Sequence, residues 1–198
     1  MPVLLEKVYR YPTPAQLVRP AGKGPFYPVT RAQKCGIFNN WQVTGGVPYA
    51  IQESRDTWEE AVAVYEAAYN EGTIEVIPLP GTEYENAPYD MKPIKVVREY
   101  DPSTTCKYRI PDATSFTKPK YWSRIYVVFE GEEVGLFWTW HQVMTRTAFL
   151  KEFRYETYGS NYRLAITQYA IEQKKRTLKV TPRPGGVFDV PVEDSDDN

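Results

Sequence analysis

The chain has 198 residues, of which 42% are hydrophobic and 25% charged, and its formal net charge at pH 7 is −1. This composition is typical of one or two globular domains, and the near-zero charge argues against nucleic-acid binding by bulk charge alone. No apolar run approaches the roughly 20 residues that cross a bilayer, and two cysteines do not make a disulfide framework. We therefore expect an intracellular protein, cytoplasmic or nuclear, with free thiols.

The first part of the chain predicts an arm followed by a small domain. We expect residues 1–25 to be a peripheral N-terminal arm. In residues 26–78, the stretch PFYPV indicates a first strand, GIF a second and VPYAIQES a third, because aromatic and β-branched residues favour strands. Asn40 is a candidate cap for a short helix that begins at Trp41 and ends at Gly45 and the glycine after it.

A longer helix follows the third strand. Thr57 and Glu60 form a capping box, and Gly72 is a candidate C-cap. Apolar residues at helical spacing between these caps predict one buried face. They are Trp58, Ala61, Val62, Tyr65, Ala68 and Tyr69. The stretch TIEVI after the helix is predicted to be extended.

The connection and the end of the chain differ from the domain in composition. Residues 79–123 contain six prolines and predict a proline-rich linker, in which IKVVREY and CKYRI indicate possible extra strands. This connection is long for a structureless loop. Residues 183–198 form an acidic tail, which we expect to be disordered.

Residues 124–182 repeat the plan of the first domain. GIFNNW and GLFWTW match at an offset of 99 residues, from Gly36 to Gly135, and TIEVIPLP and TLKVTPRP match at 104, from Thr73 to Thr177. Such self-similarity indicates an internal duplication. RIYVVF, VGLFW and EFRYETY are the predicted strands of the second copy. Its predicted helix caps are Thr139 and either Ser160 or Asn161.

The predicted fold class is α+β. We expect two small ββαβα domains, each a three-stranded antiparallel sheet with two helices, joined by the proline-rich linker. Residues 26–78 carry three basic and seven acidic side chains, and residues 124–182 carry nine and six. The two copies have therefore diverged in the sign of their charge.

The ordered set of an aromatic strand, a polar turn, G-I/L-F, a tryptophan and a capped helix resembles a known domain. It is similar to the small N-terminal hybrid-binding domain of eukaryotic ribonuclease H, which also occurs in viroplasmin proteins and as multiplied copies in fungal proteins. The resemblance covers residues 26–70 and, more weakly, 124–172. It implies binding of RNA/DNA hybrid or double-stranded RNA, read by shape rather than by base sequence.

The resemblance also implies a set of nucleic-acid-binding residues. In the family, aromatic side chains pack on the DNA strand, lysines hold its phosphates, and backbone groups before the third strand reach the RNA. The matching positions in the first copy are Tyr27, Arg31, Lys34, Trp41, Pro48, Tyr49 and Ala50. The matching positions in the second copy are Trp140, Arg154 and Tyr155.

Both copies depart from the family pattern. The strand-three lysines are absent, because residues 52–54 read QES and residues 155–157 read YET. The basic turn of the second copy has become EGEE, which brings carboxylates toward any phosphate. Trp41 and Trp140 fit either a nucleic-acid contact or a core position beneath the short helix. Arg31 and Lys34 fit either phosphate ligands or solvated turn residues.

The sequence offers little for catalysis. His141 has no cysteine or serine partner and is expected on a helix surface, while Cys35 lies in a turn with no base that can be named beside it. No metal-spaced cysteine and histidine set or phosphate-binding loop occurs, so we predict no cofactor and no enzyme activity. The leading hypothesis is a non-catalytic nucleic-acid-binding protein. The alternative is a self-associating or protein-binding module that kept the fold and lost nucleic-acid binding.

Overall fold

The structure, a computed structural model, describes residues 5–93, 108–118 and 124–190. The elements of the first half are β1 Leu5–Tyr9, β2 Tyr27–Ala32, β3 Gly36–Phe38, β4 Ile51–Gln52, α1 Trp58–Glu71, β5 Glu75–Val76 and β6 Tyr89–Pro93. Those of the second half are β7 Tyr126–Gly131, β8 Gly135–Phe137, α2 Trp140–Thr147, β9 Arg154–Thr157, α3 Tyr162–Lys175 and β10 Lys179–Val180. Three short 3₁₀ turns lie at Pro14–Gln16, Gln42–Thr44 and Ala113–Ser115.

These elements form two compact units. The described residues up to 93, together with Thr139–Thr145, form the first unit, and the remaining described residues form the second. The first residues of α2 therefore count with the first unit, although their sequence belongs to the second copy. The domain boundaries expected from the sequence stay a prediction. Within the described residues, no helix has the length and apolar character needed to cross a membrane.

The sheet of the first unit is built on β2. Strand β3 pairs antiparallel with the first half of β2, and β4 pairs antiparallel with it around an irregularity between Val29 and Arg31. Strand β5 pairs parallel with the second half of β2. The expectation of three antiparallel strands was therefore wrong by one strand. Ile74 and Val76 are buried, and burial of these apolar side chains favours a position of the chain beside β2 after α1 ends.

The second unit repeats this topology on β7. Strands β8 and β9 pair antiparallel with β7, and β10 pairs parallel with it. The matched pairs are Tyr27↔Phe38 and Tyr126↔Phe137, Val29↔Gly36 and Val128↔Gly135, and Arg31↔Glu75 and Glu130↔Lys179. The register of both sheets thus follows the offsets of 99 and 104 seen in the sequence. The coarse fold class, α+β with small sheets, is confirmed.

The long helices pack as their apolar spacing predicts. Ala61 and Tyr65 of α1 and Ala165 and Tyr169 of α3 are completely buried. Thr57 accepts a hydrogen bond from the Glu60 amide, Asn161 accepts one from Leu164, and Gly72 ends α1 in the left-handed conformation. The partly buried flanks of the two faces are Trp58, Val62, Tyr162 and Ile166.

The short helix differs between the copies, so the ββαβα layout is not reproduced in the first. The helix expected from Trp41 is only the 3₁₀ turn Gln42–Thr44, whereas α2 runs for eight residues from Trp140. Gly45 and the residues after it explain the difference, because two glycines and a proline within four positions disfavour helix continuation. From Trp140 to the end of α2, the second copy has neither glycine nor proline.

The N-terminal arm is not peripheral, which corrects the expectation. Strand β1 of the arm pairs antiparallel with β6 of the linker over five residues. Arg10 donates two hydrogen bonds from Nε to Asp90, at 3.1 and 3.0 Å. The arm also supplies the carbonyl of Pro12, which accepts the hydroxyl of Tyr65 at 2.9 Å. IKVVREY, the start of CKYRI and the end of the acidic tail lie outside the described residues.

The repeat is longer than the sequence analysis assigned. Tyr169 donates to the Pro111 carbonyl at 2.9 Å, 99 positions after the Pro12 acceptor, and both prolines follow a Tyr-Arg pair and precede a 3₁₀ turn. At the other end, Gly81 donates its amide to Glu85 at 2.9 Å and Gly185 to Asp189 at 2.8 Å, at the offset of 104. The signals YR-x-P and P-x-P-G were present in the sequence and were missed.

The two buried tyrosines provide a stability test. Tyr65→Phe and Tyr169→Phe should each lower the free energy of unfolding by about 0.5–1.5 kcal/mol, because each leaves a proline carbonyl without its donor. The corresponding alanine variants should cost about 3–5 kcal/mol through the cavity left behind. Tyr89→Phe, at a ring that is 46% exposed, is the matched control. Urea unfolding measures all five, and a Tyr65→Phe effect no larger than the control would contradict the assignment.

Candidate nucleic-acid interface

Residues 39–50, which we call the aromatic loop, connect β3 to β4 and display two large aromatic side chains. Trp41 is 57% exposed and Tyr49 is 55% exposed. Between them Val43 and Thr44 are buried and hold the loop to the sheet. The core position beneath the short helix is therefore excluded for Trp41, whose ring lies at the surface.

The aromatic loop is anchored by hydrogen bonds from β2 and the turn after it. Gln33 donates its amide N–H to the Val43 carbonyl at 3.1 Å and its side-chain Nε2 to the Gly45 carbonyl at 2.9 Å. Thr44 donates its hydroxyl to the Trp41 carbonyl at 2.6 Å. These bonds limit the number of conformations from which the two exposed rings are presented. Gln33 was not among the predicted residues, because a lone glutamine in a polar turn carries no signal of burial.

Pro48, Tyr49 and Ala50 form the turn that leads into β4. The Ala50 amide donates to the Val47 carbonyl at 3.3 Å, and Tyr49 has φ of 54°. A left-handed backbone is uncommon for a bulky aromatic residue, and such strain clusters at functional sites. The side chain of Tyr49 is presented outward from this strained position.

Arg31 holds the aromatic loop from below. Its Nε donates to Glu75 at 2.8 Å, and its Nη1 donates to the carbonyl of Pro48. Only 11% of its side chain is exposed. This guanidinium therefore positions the backbone of the loop, and its role as a phosphate ligand stays a prediction.

Lys34 is the exposed cation of the predicted set. Its ammonium lies 6.0 Å from the centroid of the Phe38 ring, and it makes no ion pair within the described residues. Tyr27 is half-buried and packs with Phe38 against the small core cluster of the sheet. Lys34 thus has the freedom to meet a phosphate, while Tyr27 is largely a packing residue.

The second copy presents its predicted residues differently. Arg154 donates from Nε to Glu130 at 3.1 Å and from Nη2 to Glu172 at 3.0 Å, and its guanidinium lies 4.5 Å from the Phe129 centroid. Tyr155 stacks on Phe153 at 6.3 Å with an interplanar angle of 10°. Trp140 is half-buried at the start of α2. Arg154 is therefore held by two carboxylates.

In the third strand of the first copy, only one of the two positions suits an added lysine. Glu53 is paired with Arg55, and only 12% of its side chain is exposed. Burial raises the pKa of Glu53, although the guanidinium of Arg55 opposes this shift. Ser54 is exposed. A lysine that restores the family pattern therefore fits at Ser54 and not at Glu53.

The expected positions of His141 and Cys35 were wrong. His141 is buried, with Nδ1 2.6 Å from the Thr30 hydroxyl and Nε2 2.6 Å from the Thr73 hydroxyl. Cys35 is also buried, and desolvation raises the pKa of its thiol to about 12, so the reactive thiolate is not formed near neutral pH. Within the described residues, no group of three histidine, cysteine or acidic side chains is placed to hold a metal ion.

The ion pairs of Arg154 lead to a pH test. The Thr177 hydroxyl, the Arg154 guanidinium and Lys175 lower the pKa of Glu172 to about 2. A carboxylate whose pKa is lower in the folded state stabilises the fold above its unfolded pKa, near 4.3, and this stability is lost as the pH falls toward about 2.

We therefore expect Glu172→Gln to destabilise the protein at about pH 5.5 and much less at about pH 2.5. Glu66→Gln, at an exposed position of α1, is the control and should have a small effect at both pH values. Urea unfolding at each pH measures the difference. An equal loss for Glu172→Gln at both pH values would show that Glu172 is not a charged partner of Arg154.

Comparison of the chain with protein-family models, with curated proteins and with solved structures finds no match. The resemblance to the hybrid-binding domain of ribonuclease H therefore rests on the residues quoted above, and what that resemblance implies about function stays a proposal.

Proposed function

We propose that this chain is a non-catalytic protein that binds RNA/DNA hybrid or double-stranded RNA through the aromatic loop of its first unit. The proposal includes the family relationship, in which both copies descend from a ββαβα hybrid-binding domain. The supporting observation is the pair of exposed rings, Trp41 and Tyr49, on a loop anchored by buried residues and by hydrogen bonds from Gln33. An exposed tryptophan on a short, held loop serves no packing role in its own sheet.

The proposed binding mode follows from the chemistry of the loop. Trp41 and Tyr49 offer flat apolar faces to the sugars along one strand of the duplex, a contact that needs no particular base. Lys34 meets a phosphate, and backbone groups of the turn at Pro48 approach 2′-hydroxyl groups. This mode reads the shape of an A-form minor groove and does not need base-specific hydrogen bonds.

The charges set the expected strength of binding. With Lys34 as the exposed cation and Arg31 held by Glu75, only one or two phosphate contacts are available. The slope of log K against log salt should therefore be shallow, about −1 to −2, and the dissociation constant should be about micromolar or weaker at physiological salt. The second copy adds little, because Arg154 is held by Glu130 and Glu172.

A second candidate function is a protein-interaction or assembly module. The observation in its favour is the pairing of Arg31 and of Arg154 with glutamates, which neutralises two cations that the family pattern would direct at phosphate. In this alternative the aromatic loop meets an apolar patch on a protein partner or on a second copy of the chain. The experiment below separates the two functions.

The test titrates a short RNA/DNA hybrid and, separately, a short double-stranded RNA into the full chain at about 20 mM and at physiological salt. Trp41→Ala and Tyr49→Asn should each weaken binding by about 1.5–3 kcal/mol through loss of apolar contact with the sugars. Asparagine is chosen because it tolerates the left-handed backbone of residue 49. Tyr89→Ala, at an exposed ring outside the loop, is the control and should bind as the unchanged chain does.

Absence of hybrid and double-stranded RNA binding at low salt would overturn the nucleic-acid proposal in favour of the interaction module. Equal binding by Trp41→Ala and the unchanged chain would overturn the role of the aromatic loop.

A gain-of-function variant gives an independent prediction. Ser54→Lys should strengthen hybrid binding by roughly 1 kcal/mol, because it adds one charge-assisted contact at the strand-three position. It should also steepen the salt slope by about one unit. Ser54→Gln is the uncharged control. An unchanged salt slope for Ser54→Lys would show that this strand does not face the nucleic acid.

A further inference from the structure

The first unit contains a groove that is lined by none of the residues of the aromatic loop. It lies between the N-terminal arm, the turn from β2 to β3, and the segment from residue 83 to residue 88, and its volume is about 740 Å³. We call it the arm groove. Its apolar surface includes Leu17, Ile37 and Phe38. Pockets of about 300–1,000 Å³ with an apolar lining and a few polar groups are typical small-molecule sites.

Two polar groups of the arm groove lack the partners that such groups usually have. Gln33 is buried, its Nε2 is bonded to the aromatic loop, and its Oε1 has no hydrogen-bond donor within the described residues. A buried acceptor without a donor costs free energy, so it calls for an explanation. Lys34 is exposed and makes no ion pair in the described part of the chain.

The second copy provides an internal comparison, because the polar residues at the matching positions have hydrogen-bond or ion-pair partners there. Glu132, which matches Gln33, accepts the Arg183 amide at 3.2 Å and the Arg183 guanidinium. Glu133, which matches Lys34, is paired with Arg146 at 2.8 Å. The polar groups that stay open in the first copy are therefore satisfied within the second.

The apolar part of the groove is closed in the second copy as well. Phe116 stands at the position of Leu17, and a Cβ on Gly135 would lie only 3.2 Å from its ring. A Cβ on the matching Gly36 would meet only the ring of Phe38. Leu17 is smaller than the phenylalanine of the second copy, so space remains beside Gly36, which lines the groove.

We infer that the arm groove binds a single nucleotide, either free or as the unpaired end of a nucleic-acid strand. A nucleoside monophosphate combines what the groove lacks: a planar base for the apolar wall, an N–H donor for Gln33 and a phosphate for Lys34. Arg10 also lines the groove, but its guanidinium is paired with Asp90, so Lys34 is the cation that meets the phosphate. A base is also small enough to enter a groove of this size.

This site is separate from the proposed hybrid interface, because it uses neither Trp41 nor Tyr49. Lys34 lies beside both, so a variant of Lys34 alone does not distinguish them. Leu17→Phe does, since it installs the residue of the second copy at the groove and leaves the aromatic loop unchanged. Leu17→Met conserves volume and is the matched control.

The experiment titrates AMP, GMP, CMP and UMP into the full chain by calorimetry and by amide chemical-shift mapping. At least one of them should bind with a dissociation constant below about 1 mM and shift the amides of Lys34 and Gly36. Leu17→Phe and Lys34→Glu should each weaken binding at least about tenfold, through steric closure and charge reversal. Leu17→Met and Trp41→Ala should bind the nucleotide as the unchanged chain does.

A second arm distinguishes the two sources of the nucleotide. A blunt hybrid and a hybrid with a single-nucleotide overhang are compared on the unchanged chain and on Leu17→Phe. In one outcome, the overhang increases the affinity for the hybrid in the unchanged chain and not in Leu17→Phe, while free mononucleotides do not bind. This result would support the site and would assign it to a strand end. Thermal unfolding shows whether Leu17→Phe is folded. If it is not, the mononucleotide titration of Lys34→Glu carries the test, because no hybrid is present in that titration.

The inference is overturned if no mononucleotide binds and the overhang gives no gain, or if Leu17→Phe and Lys34→Glu both bind as the unchanged chain does. Loss of hybrid binding in Trp41→Ala with intact nucleotide binding would support both sites. Absence of hybrid binding with intact nucleotide binding would overturn the proposed function and keep the groove.

Discussion

Each copy of this chain contains one central tyrosine, whose ring requires an apolar core and whose hydroxyl requires a hydrogen-bond acceptor. The rings of Tyr65 and Tyr169 are completely buried between helix and sheet, so each hydroxyl must find an acceptor inside the protein. The acceptor is the carbonyl of Pro12 or Pro111, which lies before the first strand of each copy. This requirement explains why the segments ahead of the strands pack on the helices and why the structural repeat is longer than its sheet and helices.

The two copies keep this arrangement and differ in how their charges are used. In the second unit two glutamates of the turn after β7 are paired, Glu132 with Arg183 and Glu133 with Arg146. Lys34 of the first unit has no such partner within the described residues. The polar turn of the second unit is thus satisfied internally, while Lys34 and the Oε1 atom of Gln33 in the first unit have no such partner within the described residues. The aromatic loop, with its two exposed rings, belongs to that less satisfied copy.

In the candidate interface, a cation at a predicted binding position already has structural partners. Arg31 was predicted at a phosphate-binding position, and in the structure its guanidinium joins Glu75 to the carbonyl of Pro48. A planar group with five donors suits such bridging as well as it suits phosphate. The exposure of Trp41 and Tyr49 therefore carries more weight for nucleic-acid binding than the presence of basic residues in the turn.

The sequence by itself determined the α+β class, the correspondence of the two copies at offsets of 99 and 104, the caps of the long helices and their buried faces, because these depend on local patterns and on short-range hydrogen bonds. It left Trp41 open between a nucleic-acid contact and a core position, and the structure places this side chain at the surface. The tertiary structure alone decided that β5 and β10 join their sheets, that β1 pairs with a strand of the linker, that His141 lies between two threonines and that Arg31 is held by Glu75. These features join residues far apart in the chain, and the energy of each depends on burial and on partners that no local pattern encodes.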